Sequence, residues 1–297
     1  MLELHNVVKT YGKGVTAVDD ISLHLDAGVV GLIGHNGAGK TTLMQMIATL
    51  SRPSAGRILF DGTDIHARPE AIRARLGYLP QDFGVYPNLS ALEFMQYFAA
   101  LKGVRDAARI SGLLELVNLH EQARRPASTF SGGMLRRLGI AQALLNDPAI
   151  LVVDEPTAGL DPEERLRFRN LLAELGHSKL VIISTHIVSD VESIADRLVI
   201  MRSGRLVACE TPQTILERAR GHVWSATVEQ DEYARLRAVS EASKLHAGVH
   251  ILHAQRQGER MLLRIAHPSA PCGGAQLTEP TLEEALMAQR YAVREAA

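Results

Sequence analysis

Three short stretches of this chain carry residue types that can do phosphate chemistry. Gly34-His35-Asn36-Gly37-Ala38-Gly39-Lys40-Thr41 fits the phosphate-loop pattern, glycines closed by a lysine and a hydroxyl residue. Glycines let backbone N–H groups approach phosphate oxygens with no Cβ in the way, and a helix opening at that point adds positive potential. Lys40 is expected to reach the β- and γ-phosphates and Thr41 to ligate Mg2+, with Thr42 completing the cradle. Asp154 and Glu155 follow the apolar run Ile150–Val153. Acids at the end of a buried strand are costly unless they serve a cation or a proton transfer. Asp154 suits Mg2+ held through water, and Glu155 suits a general base on an attacking water, a role worth about 10²–10⁴-fold. The alternative is an N-cap pair ahead of Pro156, which the phosphate loop makes the weaker reading. Ser131-Gly132-Gly133 sets a hydroxyl and two glycine N–H groups at a helix start, a second anion cradle.

The elements around these stretches alternate. Leu2–Val8, Ile21–Leu25 and Val29–Ile33 read as strands, the last running into the Gly-rich turn. Lys40–Leu50 reads as a helix with Leu43, Met46 and Ile47 on one face. Ile58–Phe60 ends at the turn dipeptide Asp61-Gly62, and Arg75–Pro80 is another strand. From Ser90 to Leu145 the pattern is helical: Leu92, Met95, Phe98 and Leu101 share a face, as do Leu113, Leu116 and Val117, and Ser90 with Glu93 forms a capping box. Then come strand Ile150–Val153, helix Glu163–Leu175, strand Leu180–Ser184, helix Val188–Ala195 and strand Leu198–Met201. Runs apolar at every position suit a largely parallel sheet covered on both faces. Past Arg218–His222, strands are expected at Val223–Val228, Val249–Ala254 and Met261–Ala266, the last two joined by a turn at residues 256–259, with a closing helix at Thr281–Gln289. The expected organisation is an α/β domain over 1–219 with a helical subdomain at about 85–145, then a small α+β accessory or regulatory domain over 220–297.

Bulk properties narrow the class. The 297 residues are 46% hydrophobic and 22% charged, an ordinary globular balance, and the formal charge of −1 argues against a nucleic-acid footprint. Cys209 and Cys272 have no redox or metal spacing and are expected to be reduced. Met1–Asn6 carries an acid and no long apolar core, so it does not read as a signal peptide. No stretch reaches the roughly 18 apolar residues of a bilayer span. A soluble, cytoplasmic protein follows. His246, His250, His253, His267 and Cys272 invite a metal reading, but Gly248 interrupts any i, i+4 pair of His246 and His250, and scattered surface histidines are expected.

The order of phosphate loop, Phe130-Ser131-Gly132-Gly133-Met134 and Asp154-Glu155 resembles the ATP-binding cassette (ABC) ATPases over roughly residues 1–215. The resemblance implies a P-loop NTPase cassette, with a mostly parallel sheet core, an N-terminal antiparallel β part and a helical subdomain. It also implies ATP and Mg2+ as ligands and hydrolysis coupled to transport. Gln81 corresponds to the family's Q-loop glutamine, which contacts Mg2+ and water; Gly159-Leu160-Asp161 looks like the D-loop; His186 falls at the switch histidine that meets the γ-phosphate. Tyr11 falls where the family stacks an aromatic ring on adenine. Lys40, Gln81, Glu155 and His186 are thus the implied catalytic set, and Thr41, Gln81 and Asp154 the implied Mg2+ set.

In the family, the two anion cradles are reconciled by a head-to-tail homodimer, each Ser-Gly-Gly closing over the other chain's ATP. A separate membrane permease is the implied partner, placing the protein on the inner face of the cell membrane, with the helical block receiving the permease and Gln81 as hinge. Met134 stands where most members have glutamine. Met134 with Leu135-Arg136-Arg137, the segment Phe83–Ser90 and the run Glu279–Glu284 are similar to the subgroup serving ABC-2-type and drug-resistance exporters; a tolerated packing substitution is the plainer reading of Met134. The alternative function, a soluble ABC ATPase in translation or DNA maintenance, is disfavoured by the single cassette, the lack of heptads and the near-neutral charge.

Overall fold

The computed structural model describes residues 1–12, 14–157, 159–242 and 248–292. The chain divides into two compact units, Met1–Glu210 and Thr211–Ala297.

In the first unit, β1 (Leu2–Tyr11) and β2 (Val15–Leu25) form a hairpin, and β3 (Gly28–Ile33) runs into the phosphate loop and α1 (Lys40–Ile47). β4 (Ala55–Phe60) and β5 (Thr63–Asp64) are joined through Asp61 and Gly62, at φ 47° and 76°, and are followed by α2 (Pro69–Arg73) and β6 (Leu76–Leu79). The helical block holds α3 (Ala91–Leu101), α4 (Ala107–Leu116) and α5 (Gly132–Ala143). The chain then returns through β7 (Ile150–Asp154), α6 (Pro162–Gly176), β8 (Leu180–Thr185), β9 (Arg197–Arg202) and β10 (Arg205–Glu210). One sheet is antiparallel, ordered β2-β1-β4-β5; the other is ordered β10-β9-β3-β8-β7-β6, with all but the edge strand β10 parallel.

Ile150, Leu151, Val152 and Val153 of β7 have no solvent exposure. Each such side chain contributes about 1.5–3 kcal/mol by burial, which holds the strand in place with two carboxylates at its end. Several expectations shift by local physics. The α1 helix stops at Ile47 rather than Leu50, because Thr49 turns left-handed (φ 59°) and is held by Arg73, whose Nε donates to its hydroxyl at 2.9 Å. The Ser90/Glu93 capping box forms as expected, but the buried face of α3 is Ala91, Phe94, Met95 and Ala99, while Leu101 is 66% exposed. Phe94 packs edge-on against Phe83, and that contact sets the rotation of the helix. On α4, Leu113 and Leu114 are buried, as is Val117 just beyond it, whereas Leu116 is exposed.

The helix expected at Val188–Ala195 is a 3-10 turn at Val188–Asp190 followed by irregular chain. Asp190 is buried and accepts a short hydrogen bond from the Thr157 hydroxyl. Val191 packs where Gly31 has no side chain, with a Cβ there falling 3.1 Å from Val191. Those tertiary ties override a weak local helix preference.

The second unit begins earlier than the expected boundary at 219/220, because α7 (Pro212–Ala219), capped by Thr211, belongs to it. It continues through β11 (Val223–Glu229), α8 (Gln230–Ala242), β12 (His250–Gln257), β13 (Arg260–Ala266), β14 (Gln276–Leu277) and α9 (Leu282–Ala292), with an antiparallel sheet ordered β12-β13-β11-β14. Gly258 at φ 62° makes the β12–β13 turn. The core is Ala226, Val228, Leu236, Leu263 and Ile265.

The run Glu279–Glu284 starts α9: Thr281 N–H donates to the Glu284 carboxylate at 2.9 Å, Glu284 N–H donates to the Thr281 hydroxyl at 3.2 Å, and Arg264 holds both Glu284 oxygens at 2.7 and 2.6 Å. Burial pushes the Glu284 carboxyl up, but Arg264 and the Thr281 bonds outweigh it and leave it below the usual carboxylate range. His250 is buried, not on the surface as expected; His246 lies outside the described residues. Cys209 and Cys272 are both free thiols. Among the described residues no helix is long and apolar enough to cross a membrane.

Candidate active site

The site is assembled at the carboxyl ends of four neighbouring parallel strands, where open α/β sheets place ligands. β3 delivers the phosphate loop, β6 delivers Gln81, β7 delivers Asp154 and Glu155, and β8 delivers His186. The register Asp154↔Ser184 and Ile33↔Thr185 brings those ends level. A cleft of about 440 Å³ opens there, lined by Ala17, residues 36–42, Gln81, Glu155 and His186.

In the phosphate loop, Gly37 and Gly39 sit at φ 80° and 97°. A Cβ on Gly39 would lie 2.2 Å from the Ala17 carbonyl oxygen, so only glycine fits there. Gly39 is also the N-cap of α1 and offers no side-chain cap, which leaves the first-turn N–H groups for an anion. Lys40 is buried, and its ammonium donates to the carbonyls of Gly34 at 2.7 Å and His35 at 3.3 Å. Burial pushes its pKa below the ordinary lysine value, while the fields of Glu155 and Asp154 pull the other way. Lys40→Ala is expected to raise the Kd for an ATP analogue roughly 10–150-fold, the equivalent of one charge-assisted hydrogen bond of about 1.5–3 kcal/mol. Equilibrium fluorescence titration checks this, and an unchanged Kd would remove Lys40 from the cradle.

Asp154 is 1% exposed and accepts a short hydrogen bond from the Ser184 hydroxyl. Its negative field also reaches Tyr78, whose phenol is pushed up to about 12 by burial first and Asp154 second. Glu155 sits left-handed at φ 47°, a conformation costing a glutamate of the order of 1–3 kcal/mol. It is held there by its N–H, which donates to the Ser184 carbonyl and hydroxyl oxygens, both at 3.1 Å. Such outliers gather at active sites, where surrounding structure fixes them. His186 Nδ1 lies 2.7 Å from Glu155 Oε2; with an ionised carboxylate as acceptor, the ring donates from Nδ1. Ammonium, uncapped helix start and the Glu155 carboxylate therefore line one cleft, with Asp154 buried behind the lining and its field reaching Lys40, a donor set that fits a polyphosphate with a hard divalent cation.

Other expected residues lie elsewhere. Ser131 is the N-cap of α5, its hydroxyl accepting from Met134 N–H at 3.2 Å, and Ser131, Gly132 and Gly133 are not among the cleft-lining residues. Asp161 caps α6, accepting from Glu164 N–H at 2.9 Å. Tyr11 is at the tip of the β1–β2 hairpin, 42% exposed and also outside the lining, with the Lys9 ammonium 5.0 Å from its ring centre. Sequence reasoning missed Ala17 and Ser184. Ser184, a hydroxyl ending an otherwise apolar strand, was legible as an oddity; Ala17 carried no signal.

A phosphate loop after a central strand, with an acid pair at the end of the parallel strand two places along the same sheet, defines a P-loop nucleoside triphosphatase. Residues 18–158 match the ABC transporter family profile. The chain is 38% identical over 210 residues to the bacitracin transport ATP-binding protein BcrA of Enterococcus faecalis, covering 70% of this chain and 68% of that one. It is 39% identical over 223 residues to the Nod factor export ATP-binding protein I of Paraburkholderia xenovorans, covering 72% of each. Among solved structures, the dimeric post-hydrolysis state of the ATP-binding cassette MJ0796 bound to ADP and Pi is similar with a TM-score of 0.65 at 28% identity, over 71% of this chain and 98% of that one. The chain belongs to the ABC transporter family, and its chemistry is ATP hydrolysis.

Proposed function

We propose that two copies of this chain close head to tail over two ATP molecules and drive a separate membrane permease of the ABC-2 export type. The observation that carries the dimer is Gly132. Its φ is not left-handed, and a Cβ there would meet nothing within 4 Å, so the chain's own fold does not require glycine at that position. Glycine at an exposed helix start, beside an exposed serine and away from the cleft of its own chain, serves an approach from outside. A two-fold pairing supplies that approach twice with one interface. The dimeric ADP-bound cassette, the bacitracin transporter subunit and the Nod factor export subunit support the same reading.

In this reading Lys40 and the α1 N-terminus offset the β- and γ-phosphate charge, and the partner's Ser131 segment closes the other side. Glu155 takes a proton from the attacking water as the new bond to the γ-phosphorus forms and the bond to the β–γ bridging oxygen breaks, leaving ADP. His186 orients the Glu155 carboxylate through Nδ1. Thr41, Gln81 and Asp154 are the groups that would hold Mg2+, which when bound neutralises developing phosphate charge. Tyr11 is assigned to adenine and Asp161 to the partner-facing loop. The permease places the protein on the inner face of the membrane.

Affinity capture of the tagged full-length chain from detergent-solubilised membranes of its host is expected to recover a polytopic membrane protein in a defined ratio. Recovery of ribosomes or DNA instead, with no membrane protein, would overturn the transport assignment.

A further inference from the structure

The signature helix α5 and the segment bearing Gln81 are fastened together. Arg136, on the second turn of α5, is half-buried and donates from Nη1 to the carbonyl oxygen of Pro80 at 3.0 Å, immediately before Gln81. One turn further, Gly139 leaves the space into which Leu79 and Phe83 pack: a Cβ there would lie 2.5 Å from Leu79 Cδ1 and 3.3 Å from the Phe83 ring. Another turn on, the Ala143 carbonyl approaches β6 so closely that a Cβ on Gly77 would be 2.5 Å from it. Phe83 is also held from the other side by Phe94 of α3, ring centres 5.8 Å apart and nearly perpendicular. Positions 136, 139 and 143 follow the helical spacing of one face, so that face of α5 tracks the chain from Gly77 to Phe83. Gln81, which lines the cleft, is suspended between the Pro80 and Phe83 anchors. Pro80, just before Gln81, and Phe83, two residues after it, are thus both held by the helical block.

We propose that Arg136 is a positioning residue for ATP hydrolysis, its bond to the Pro80 carbonyl fixing Gln81 in the cleft and tying it to the helix that begins at Ser131. A shift of that helix start is then felt at Gln81 without any intervening contact. Proline suits the anchor: its fixed φ stiffens the chain between β6 and the bonded carbonyl. Arginine suits it too, since the guanidinium keeps its charge when half-buried and offers several donors in a fixed plane. Burial lowers its pKa from the ordinary arginine value, while the fields of Asp82 and Asp154 pull the other way. The proposal rests on the reading of the cleft as the hydrolytic site.

The test compares parent, Arg136→Ala, Arg136→Lys and Glu155→Gln in the full-length chain, by steady-state ATPase kcat and by equilibrium Kd for a fluorescent ATP analogue. Arg136→Ala is expected to lower kcat about tenfold, the usual size of one lost charge-assisted bond, with Kd within about twofold of the parent. Arg136→Lys, which keeps a donor, is expected to recover most of that loss. A merely structural arginine would move Kd and kcat together and would not be rescued by lysine, and either result overturns the proposal, as does parent-level kcat in Arg136→Ala. If Arg136→Ala does not give a cooperative thermal transition, Arg136→Gln, which keeps a neutral donor, is read by the same criteria. Should Glu155→Gln hydrolyse ATP at the parent rate, the reading of the cleft fails; should Glu155→Gln be inactive while Arg136→Ala turns over at the parent rate, only the present inference fails.

Discussion

Glu155→Gln is expected to bind ATP, to turn over about 10²–10⁴-fold more slowly than the parent, and to accumulate as a nucleotide-dependent dimer. The substitution keeps the side-chain volume at a site only 8% exposed and keeps an oxygen that accepts from His186. What it removes is the carboxylate that takes the proton from the attacking water. The left-handed backbone at position 155 is held by the Ser184 bonds to its own N–H, which the substitution leaves alone. ATP affinity therefore depends on groups that stay in place, chiefly Lys40 and the start of α1. Single-turnover hydrolysis and size-exclusion chromatography with and without ATP separate the effects. Hydrolysis at the parent rate would mean that another group is the base; inactivity without a dimer would sever hydrolysis from closure.

The second large effect is expected for Ser131→Arg. ATP binding to the single chain should stay within about twofold of the parent, because Ser131 does not line the cleft. Dimer accumulation and turnover should both be lost, since a long cation would occupy the place where the partner's nucleotide is to be received. Ser131 also caps α5 through Met134 N–H, and losing an N-cap costs about 0.5–2 kcal/mol. Ser131→Ala controls for that cost: it removes the cap without filling the space, so it should lower thermal stability while leaving more turnover than Ser131→Arg. Loss of ATP binding by the monomeric Ser131→Arg chain would show that the segment serves its own nucleotide and would overturn the head-to-tail reading.

Most of the cleft was legible in the chain itself. A phosphate loop needs glycines at particular steps and a lysine at its close, and those demands are local, so residues 34–41 could be read in order. Glu155 was read from the acid pair that closes a buried strand, Gln81 and His186 were reached through the family resemblance, and all three line the same cleft. Tyr11 was reached the same way and stands at an exposed hairpin tip, outside that lining. The helix expected at Val188–Ala195 failed because a buried Asp190 and Thr157, far apart in sequence, bind each other. The rotation of α3 turned on Phe83, and the start of the second unit on where α7 packs; neither contact is written in a local pattern.

The sequence by itself determined the chemistry: which backbone can cradle phosphate, which acids can hold a cation or take a proton, and which runs must be buried to carry them. Those properties belong to residue types at short spacing. Only the tertiary structure decided the alignment. It levelled the ends of β3, β7 and β8 so that a lysine, the Glu155 carboxylate and a histidine line one cleft, turned Glu155 left-handed against Ser184, and left Ser131–Gly133 outside that lining. It also set Arg136 on the carbonyl before Gln81, across 56 residues of chain. Strand register and helix rotation are properties of packed surfaces, fixed by contacts between distant residues, and no window of the sequence contains both partners.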